Sequence, residues 1–339
     1  MQTRSPRTEN HLSEPPVGEP AARDRMRKRR WPRRLGFAAV TLLAVVAVST
    51  TVNLVLEWRE RSVTSPYGQR VPVSGGHLNV WRNGRTGPTI VLLSGLGTVA
   101  PALDFAPLVR ELEGYDVIVV ERFGYGYSDM SGPPQTVANV TSELHEALVQ
   151  VGVRKPFVLV AHSIAGFYAL SYVDRYPGEV SAVIGIDPTI PAAKAGAAEP
   201  AGGGIEWGRV LAVTGVVRAA IAIEPGLAEP PGGAFTPEEL VQIRRMTIWN
   251  YGNAATADET RRMSSNATAL RGVTYPDELP VLEMLAKESV DTIPRWIEQH
   301  RDQLRNVQRH EVVVLDGRHY LHWTKSREMA RMITDFIGR

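Results

Sequence analysis

Apolar runs of strand length recur along this chain without the polar alternation of a half-exposed strand. Three lie close together: Thr89-Ile-Val-Leu-Leu93, Asp116-Val-Ile-Val-Val120 and Phe157-Val-Leu-Val-Ala161. A strand with one face in water alternates apolar and polar side chains, so a run that does not alternate must be covered on both faces. Ala182-Val-Ile-Gly-Ile-Asp187, Pro280-Val-Leu-Glu-Met-Leu285 and Glu311-Val-Val-Val-Leu315 extend the series. Helical stretches separate the runs around Phe105–Leu112, Val137–Val151 and Ala165–Tyr176, the last closed by Pro177-Gly178. Strands alternating with helices predict an α/β fold with a mostly parallel, doubly wound sheet. Ahead of it, Arg70–Val73 and His77–Trp81 read as a hairpin around Ser74-Gly75-Gly76.

Between Asp187 and Pro280 the alternation breaks. Segment 188–279 opens rich in Gly, Ala and Pro and then turns helical, with a strongly apolar stretch over Ile205–Ile223. Thr236-Pro237-Glu238-Glu239 has the Thr N-cap, the Pro in the first turn and the Glu three residues on that start a helix. The segment reads as a lid inserted into a core formed by residues 71–187 and 280–339.

The N-terminal region is of another kind. From Leu35 to Leu56 there are 22 residues without a charge, about 33 Å as a helix, enough for the ~30 Å hydrocarbon core of a bilayer. The basic cluster Arg23 to Arg34 precedes it, and Trp31 and Trp58 bracket it as interfacial aromatics do. Guanidinium groups are expensive to carry through lipid, so the expectation is a single-pass signal anchor with residues 1–34 a disordered cytoplasmic tail. The body, after a linker over 57–70, then lies outside the cytoplasm. Ala47-Val48-Ser49 is similar to a signal-peptidase site, and a secreted body after cleavage is the alternative.

Charge follows the same division. Residues 1–34 hold ten Lys/Arg against four Asp/Glu, and the rest of the chain 28 against 32. The positive excess belongs to the tail, which disfavours a nucleic-acid partner for the body. The chain has no Cys, which excludes disulfides, thiolate metal sites and a cysteine nucleophile.

The segment most informative about chemistry is Phe157-Val-Leu-Val-Ala161-His162-Ser163-Ile164-Ala165-Gly166, an apolar strand running directly into a helix with Ser163 at the corner. A serine there presents Oγ at a helix N-terminus, where free N–H groups favour developing negative charge, and its neighbours two residues away must be small. Those neighbours are Ala161 and Ala165. A serine that merely caps the helix is the alternative.

With this segment the sequence resembles the α/β-hydrolase family from about Val71 to the C-terminus. Leu92-Leu93-Ser94-Gly95-Leu96-Gly97 looks like the family's His-Gly oxyanion segment, with Ser94 where His is usual. Glu121-Arg-Phe-Gly-Tyr-Gly-Tyr-Ser-Asp129 is similar to its Asp-x-x-Gly-x-Gly-x-Ser loop, with Glu121 in the Asp position, and His319 falls after the last strand, where the family carries its catalytic histidine. The resemblance implies Ser163 as nucleophile, His319 as base, and Leu96 and Ile164 as backbone oxyanion donors. His322 is a rival base; the pair His319/His322 lacks an evident third metal ligand, and His162 is expected to pack or to face the lid rather than the nucleophile.

The acid is the open position. The family's usual Asp, after the strand at Val281–Leu285, corresponds to Ser289, leaving Glu288 and Asp291 as displaced substitutes. Asp187 ends the preceding strand, where some haloalkane dehalogenases of this fold carry their acid. It is preferred here, ahead of Asp291 and then Glu288, although an Asp before Pro188 also suits a plain turn.

A serine nucleophile implies acyl chemistry without metal or cofactor, rather than the carboxylate-based dehalogenase or epoxide-hydrolase reactions of the family. The apolar lid helix beside an anchor points to a small-molecule substrate with a hydrophobic acyl group, although core packing would explain that helix equally well. The expected function is a membrane-anchored hydrolase of carboxylic esters. An aminopeptidase-like amide hydrolase and a non-catalytic binding protein on the same fold are the alternatives.

Overall fold

The computed structural model describes residues 21–191 and 206–339, with the backbone alone for residues 21–33. Most of the expected tail (residues 1–20) and the opening of the expected lid (residues 192–205) lie outside the described residues.

Eight strands form one sheet: β1 (Gln69–Val73), β2 (Gly76–Arg82), β3 (Thr89–Leu93), β4 (Asp116–Glu121), β5 (Phe157–His162), β6 (Val180–Ile186), β7 (Val281–Ala286) and β8 (His310–Leu315). Their order is β1-β2-β4-β3-β5-β6-β7-β8. The β1–β2 and β2–β4 pairs are antiparallel and all the others are parallel. The absence of alternation in the apolar runs is explained by the two faces. Ile90 and Leu92 of β3 pack with Phe105, Leu108, Ile333 and Phe336 on one side. Val91 and Leu93 pack on the other with Leu144, Leu148, Tyr168 and Tyr172. Side chains alternate with period two, and a greasy layer waits on each side.

The helices are α1 (Ala21–Val63), α2 (Pro101–Asp104), α3 (Ala106–Glu111), α4 (Val137–Gln150), α5 (Ala165–Arg175), α6 (Trp207–Val213), α7 (Val216–Ile223), α8 (Pro237–Asn250), α9 (Ala254–Arg261), α10 (Met263–Ala269), α11 (Lys287–Thr292), α12 (Trp296–Leu304), α13 (Leu321–Thr324) and α14 (Ser326–Ile337). Helices α6 to α10 stand between β6 and β7, in the segment read as inserted. Helix α8 starts with a full capping box, Thr236 Oγ1 accepting from the Glu239 N–H and Glu239 Oε2 from the Thr236 N–H. The apolar stretch read as one helix is two, broken at Gly215, whose φ of 84° starts the second. Only one side of it packs inward: Ala212 and Ile221 are buried, whereas Trp207 is 66% and Ile223 85% exposed.

Contacts divide the chain within α1 into two units, Met1–Thr51 and Val52–Arg339. Residues Arg34–Val63 form one helix long and apolar enough to cross a membrane. Helix α1 departs from the sequence reading at both ends. It begins at Ala21, inside the expected tail, and takes up the first half of the expected linker, to Val63. In the larger unit that last part is held by side chains: Asn53 donates to the Ala212 and Val213 carbonyls, and Glu60 pairs with Arg218.

The parallel strands reverse direction of addition between β3 and β5, and the crevice beyond their C-terminal ends is where open α/β sheets place ligands. Two loops meet there, Ser94–Gly97 after β3 and Ser163 after β5. A Cβ on Gly95 would stand 2.7 Å from His162 Nδ1 and 3.0 Å from Ser163 Cβ, and one on Gly166 would stand 2.5 Å from the Thr189 carbonyl oxygen. Gly166→Ala is therefore expected to cost about 2–3 kcal/mol by overpacking. Gly114→Ala, with no neighbour within 4 Å, should stay near wild type in the same urea-denaturation series. Equal stability of the two variants would refute the close approach.

Candidate active site

Ser163 occupies the left-handed region, with φ 55°, an unusual conformation for a side-chain-bearing residue. Three backbone hydrogen bonds hold it there. Its N–H donates to the Ile186 carbonyl at 3.1 Å, and its carbonyl accepts from Gly166 at 2.9 Å and Thr189 at 2.8 Å. Strand β6 thus braces the corner between β5 and α5, and Ala161 and Ala165 lie buried on either side. Ile164 is the N-cap residue of α5, so its N–H belongs to the positive end of that helix.

The next residue after Ile186 is Asp187, also at positive φ (42°) and 1% exposed. Its Oδ2 lies 2.6 Å from His319 Nδ1. Three further donors converge on the carboxylate: Ser289 Oγ on Oδ2, and the Ala286 N–H at 3.1 Å and Trp296 Nε1 at 3.3 Å on Oδ1. Burial pushes the Asp187 carboxyl up, but the bonds from His319, Ser289 and Ala286 outweigh it and hold the group below the ordinary carboxylate range. It is therefore ionised at neutral pH beside the imidazole.

The other two acids occupy different places. Asp291 is exposed and paired with Lys287 at 2.8 Å. Glu288 accepts from Arg318 Nε at 3.1 Å and from the His319 backbone N–H at 3.0 Å. It therefore holds the loop that carries His319, while Asp187 meets the ring. Ser289, in the position of the family's usual Asp, donates to Asp187.

Two more histidines surround this pair. His322 is fully buried, its Nε2 2.6 Å from Asp104 Oδ2, whose other oxygen accepts from Trp323 Nε1 at 2.8 Å. His162 is buried with Nε2 3.2 Å from the His319 carbonyl, and its ring stands 4.8 Å from those of His319, Tyr320 and His322. Burial, with His322 and His319 beside it, pushes the His162 imidazole well below its ordinary value. It is a neutral donor to a carbonyl, supporting the His319 loop from beneath. Among the described residues no group of three or more His, Cys, Asp or Glu could hold a metal ion.

The loop after β3 has support that the sequence did not reveal. Ser94 Oγ is buried without a hydrogen-bond partner, but the Ser94 carbonyl accepts from Arg122 Nη1 at 2.8 Å. The Gly97 N–H donates to Tyr125 Oη at 3.1 Å. Arg122 also pairs with Glu259 at 2.9 Å, with the two side chains 3% and 0% exposed. Tyr168 donates to the same carboxylate at 2.6 Å, and Tyr125 donates to its other oxygen. Burial opposes the Arg122 charge, but Glu259 keeps the guanidinium firmly protonated; burial and Glu259 together push both tyrosines well above their ordinary range. Glu121 is buried too, accepting from Tyr67, Asn79 and the Tyr127 and Ala102 N–H groups. Arg122 and Tyr125 lie within the Glu121–Asp129 motif, a signal that could have drawn attention to them. Glu259, on α9, is 137 residues from Arg122, and no local pattern points to it.

A cavity of about 430 Å³ adjoins these loops, lined by Gly97, Asp104 and Tyr320 below and by Leu227, Ile243 and Tyr251 of the insertion above. Ser163 does not line it; two residues that do, Gly97 and Tyr320, are the chain neighbours of Leu96 and His319.

Comparison with known proteins agrees with this architecture. Residues 90–332 match the model of the Alpha/beta hydrolase family. The uncharacterized protein YbdG of Bacillus subtilis is 33% identical over 158 residues, 46% of this chain and 48% of that protein. Lipase 1 of Psychrobacter immobilis is 28% identical over 167 residues, 46% of this chain and 51% of that one. The chain spans about half the length of these curated relatives. The solved epoxide hydrolase VrEH1 of Vigna radiata covers 80% of this chain and 97% of its own with a TM-score of 0.62 at 17% identity, a likeness of fold.

Removing one partner of the buried Arg122–Glu259 pair leaves the other uncompensated. Arg122→Met is expected to lose about 3–5 kcal/mol. The double variant Arg122→Met/Glu259→Gln should recover part of that loss. Calorimetric melting of the set checks both; additive losses would show that the two groups do not depend on each other.

Proposed function

Because the chain belongs to the alpha/beta hydrolase family, we propose that it is a membrane-anchored serine hydrolase of carboxylic esters. The observation that carries this reading is the 2.6 Å contact between Asp187 and His319, placed one residue beyond the carbonyl that holds the Ser163 N–H. The kinship with Lipase 1 supports an ester as substrate. The serine at 163 argues against the epoxide chemistry of fold relatives, which uses a carboxylate nucleophile.

In the proposed mechanism Asp187 fixes the His319 tautomer with its proton on Nδ1, leaving Nε2 free to accept the Ser163 hydroxyl proton. Oγ bonds to the ester carbonyl carbon, and the electron pair moves onto oxygen, facing the Leu96 and Ile164 N–H groups. Collapse breaks the carbon–oxygen bond to the alcohol, which takes the proton from the imidazolium. Water repeats the sequence on the acyl-serine and releases the acid, with no metal or cofactor taking part. Arg122 and Tyr125 hold the loop of the first oxyanion donor, the role a histidine at position 94 would share.

The anchor reading rests on the uncharged stretch Leu35–Leu56, whose large side chains from Leu35 to Val48 are exposed, and on the basic cluster before it. It places the N-terminus in the cytoplasm and the catalytic body outside, with α6 to α10 as a lid and residues 71–187 and 280–339 as the core.

Activity-based labelling of the full chain tests the assignment. A fluorophosphonate is expected to label Ser163, and labelling should vanish in Ser163→Ala and fall steeply in His319→Ala. Asp187→Asn should lower ester turnover by about 10⁴-fold, the scale of losing the tautomer lock, while Asp291→Asn stays near wild type. No labelling of the folded wild type would overturn the nucleophile, and loss confined to Asp291→Asn would overturn the acid.

A further inference from the structure

Asn53 is an anomaly in its helix. The residues around it, Val52, Leu54, Val55 and Leu56, are exposed and apolar, whereas Asn53 is 2% exposed and fully engaged. Its amide donates to the Ala212 and Val213 carbonyls at the end of α6, and its Oδ1 accepts from Arg218 Nε of α7 at 2.7 Å. Two turns further on, Glu60 accepts both terminal nitrogens of Arg218, at 2.5 and 3.0 Å, and Trp249 Nε1 of α8 at 3.0 Å. Arg61 stacks on the Trp249 ring at 4.4 Å. The last three turns of α1 are thus clasped to the insertion.

This clasp fixes a depth. Leu56 is the last residue of the uncharged stretch, and Asn53 lies three residues before it, about 4.5 Å inward along the helix axis. Whatever level of a bilayer Leu56 reaches, the junction of α6 and α7 is held at that level or slightly deeper. The outside of the insertion is apolar along both helices: Trp207 and Leu211 of α6 and Val216 and Ile223 of α7 are exposed, and Leu227 just after α7 continues the strip. Trp58, 72% exposed on the neighbouring helix, is the residue type that settles at headgroup level. Five large apolar side chains in water are costly on a monomer, but in the headgroup and upper acyl region the same face is favourable.

We infer that the outer face of α6 and α7 rests in the surface of the phospholipid bilayer and is the entrance for a membrane-dissolved acyl ester. The inference rests on the anchored reading above. The entrance follows from continuity: the segment after α7 carries Leu227 from the apolar strip into the wall of the cavity beside the candidate site. An ester partitioned into lipid would meet that wall without crossing water, so the substrate class is a lipid-soluble ester with a long acyl chain.

The absence of cysteine from the chain makes the test direct. Single-cysteine variants Trp207→Cys, Leu211→Cys and Ile223→Cys of the full chain carry a nitroxide in phosphatidylcholine/phosphatidylglycerol vesicles. Val45→Cys reports the anchor and Val149→Cys the aqueous surface. Collision with oxygen and with a water-soluble nickel chelate reads the depth. The expected result is lipid-like accessibility at 207, 211, 223 and 45, and water-like accessibility at 149. Water-like values at 207, 211 and 223 with a lipid-like value at 45 would overturn the seating and leave the anchor standing. A water-like value at 45 would overturn both. Shielding of 207, 211 and 223 from both reagents would assign the face to a second copy of the chain instead. The triple variant Trp207→Asn/Leu211→Ser/Ile223→Asn should raise KM for a long-chain ester dissolved in the vesicles by tenfold or more. KM for a short water-soluble ester should not change; an unchanged KM for both would refute the entrance.

Discussion

The buried pair of Arg122 and Glu259 ties the loop after β4 to the segment between β6 and β7 with a charge on each side. A guanidinium and a carboxylate removed from water must be paired and hydrogen-bonded or the fold loses several kcal/mol. Here the cation comes from the loop after β4 and the anion from α9, in the segment inserted between β6 and β7. Each uses its remaining capacity on something else. Arg122 reaches the Ser94 carbonyl, and Glu259 gathers the hydroxyls of Tyr125 and Tyr168. One of those, Tyr125, in turn receives the Gly97 N–H. The loop that would stabilise an oxyanion is therefore shaped by a charge that the insertion supplies.

A similar economy governs the other side of the crevice. Asp187 and Ser163 both sit at positive φ, and the hydrogen bond from the Ser163 N–H to Ile186 ties the two strained corners together. Strain at one residue persists only where surrounding bonds over-determine it. The three backbone hydrogen bonds at Ser163 and the four donors on Asp187, His319 among them, supply that excess. His162, neutral and buried, and Glu288, on the surface, then hold the His319 loop from its two sides.

Most of this architecture was legible in the sequence because the sheet is buried on both faces. Burial on both faces removes the polar alternation that would otherwise blur a short strand, so the runs at β3, β4 and β5 stand out, and the small residues at 161 and 165 mark the corner. Asp187 could be singled out because it follows such a run directly. What escaped was fixed by distant partners. Glu259 lies in a stretch whose local pattern is only helical, and Ser94 leaves no trace of the arginine that compensates for it. The apolar stretch after residue 205 was legible as helix but not as two helices with exposed outer sides, since apolar composition alone does not say which of the side chains are covered. The first half of the linker expected over residues 57–70 is helix, because Glu60 and Arg61 find partners on α7 and α8 that no local propensity encodes.

The place of Glu259 has a bearing on how such a protein can diversify. An inserted segment between two strands is ordinarily a replaceable cassette, free to be exchanged for another of different length and selectivity. This one carries the counter-charge of the scaffold beneath it. A grafted insertion lacking a carboxylate at that spot would leave a buried guanidinium without its mate and the loop after β3 without its brace. Scaffold and insertion are therefore coupled in inheritance, and new specificities are more accessible through changes along the cavity wall than through exchange of the whole segment.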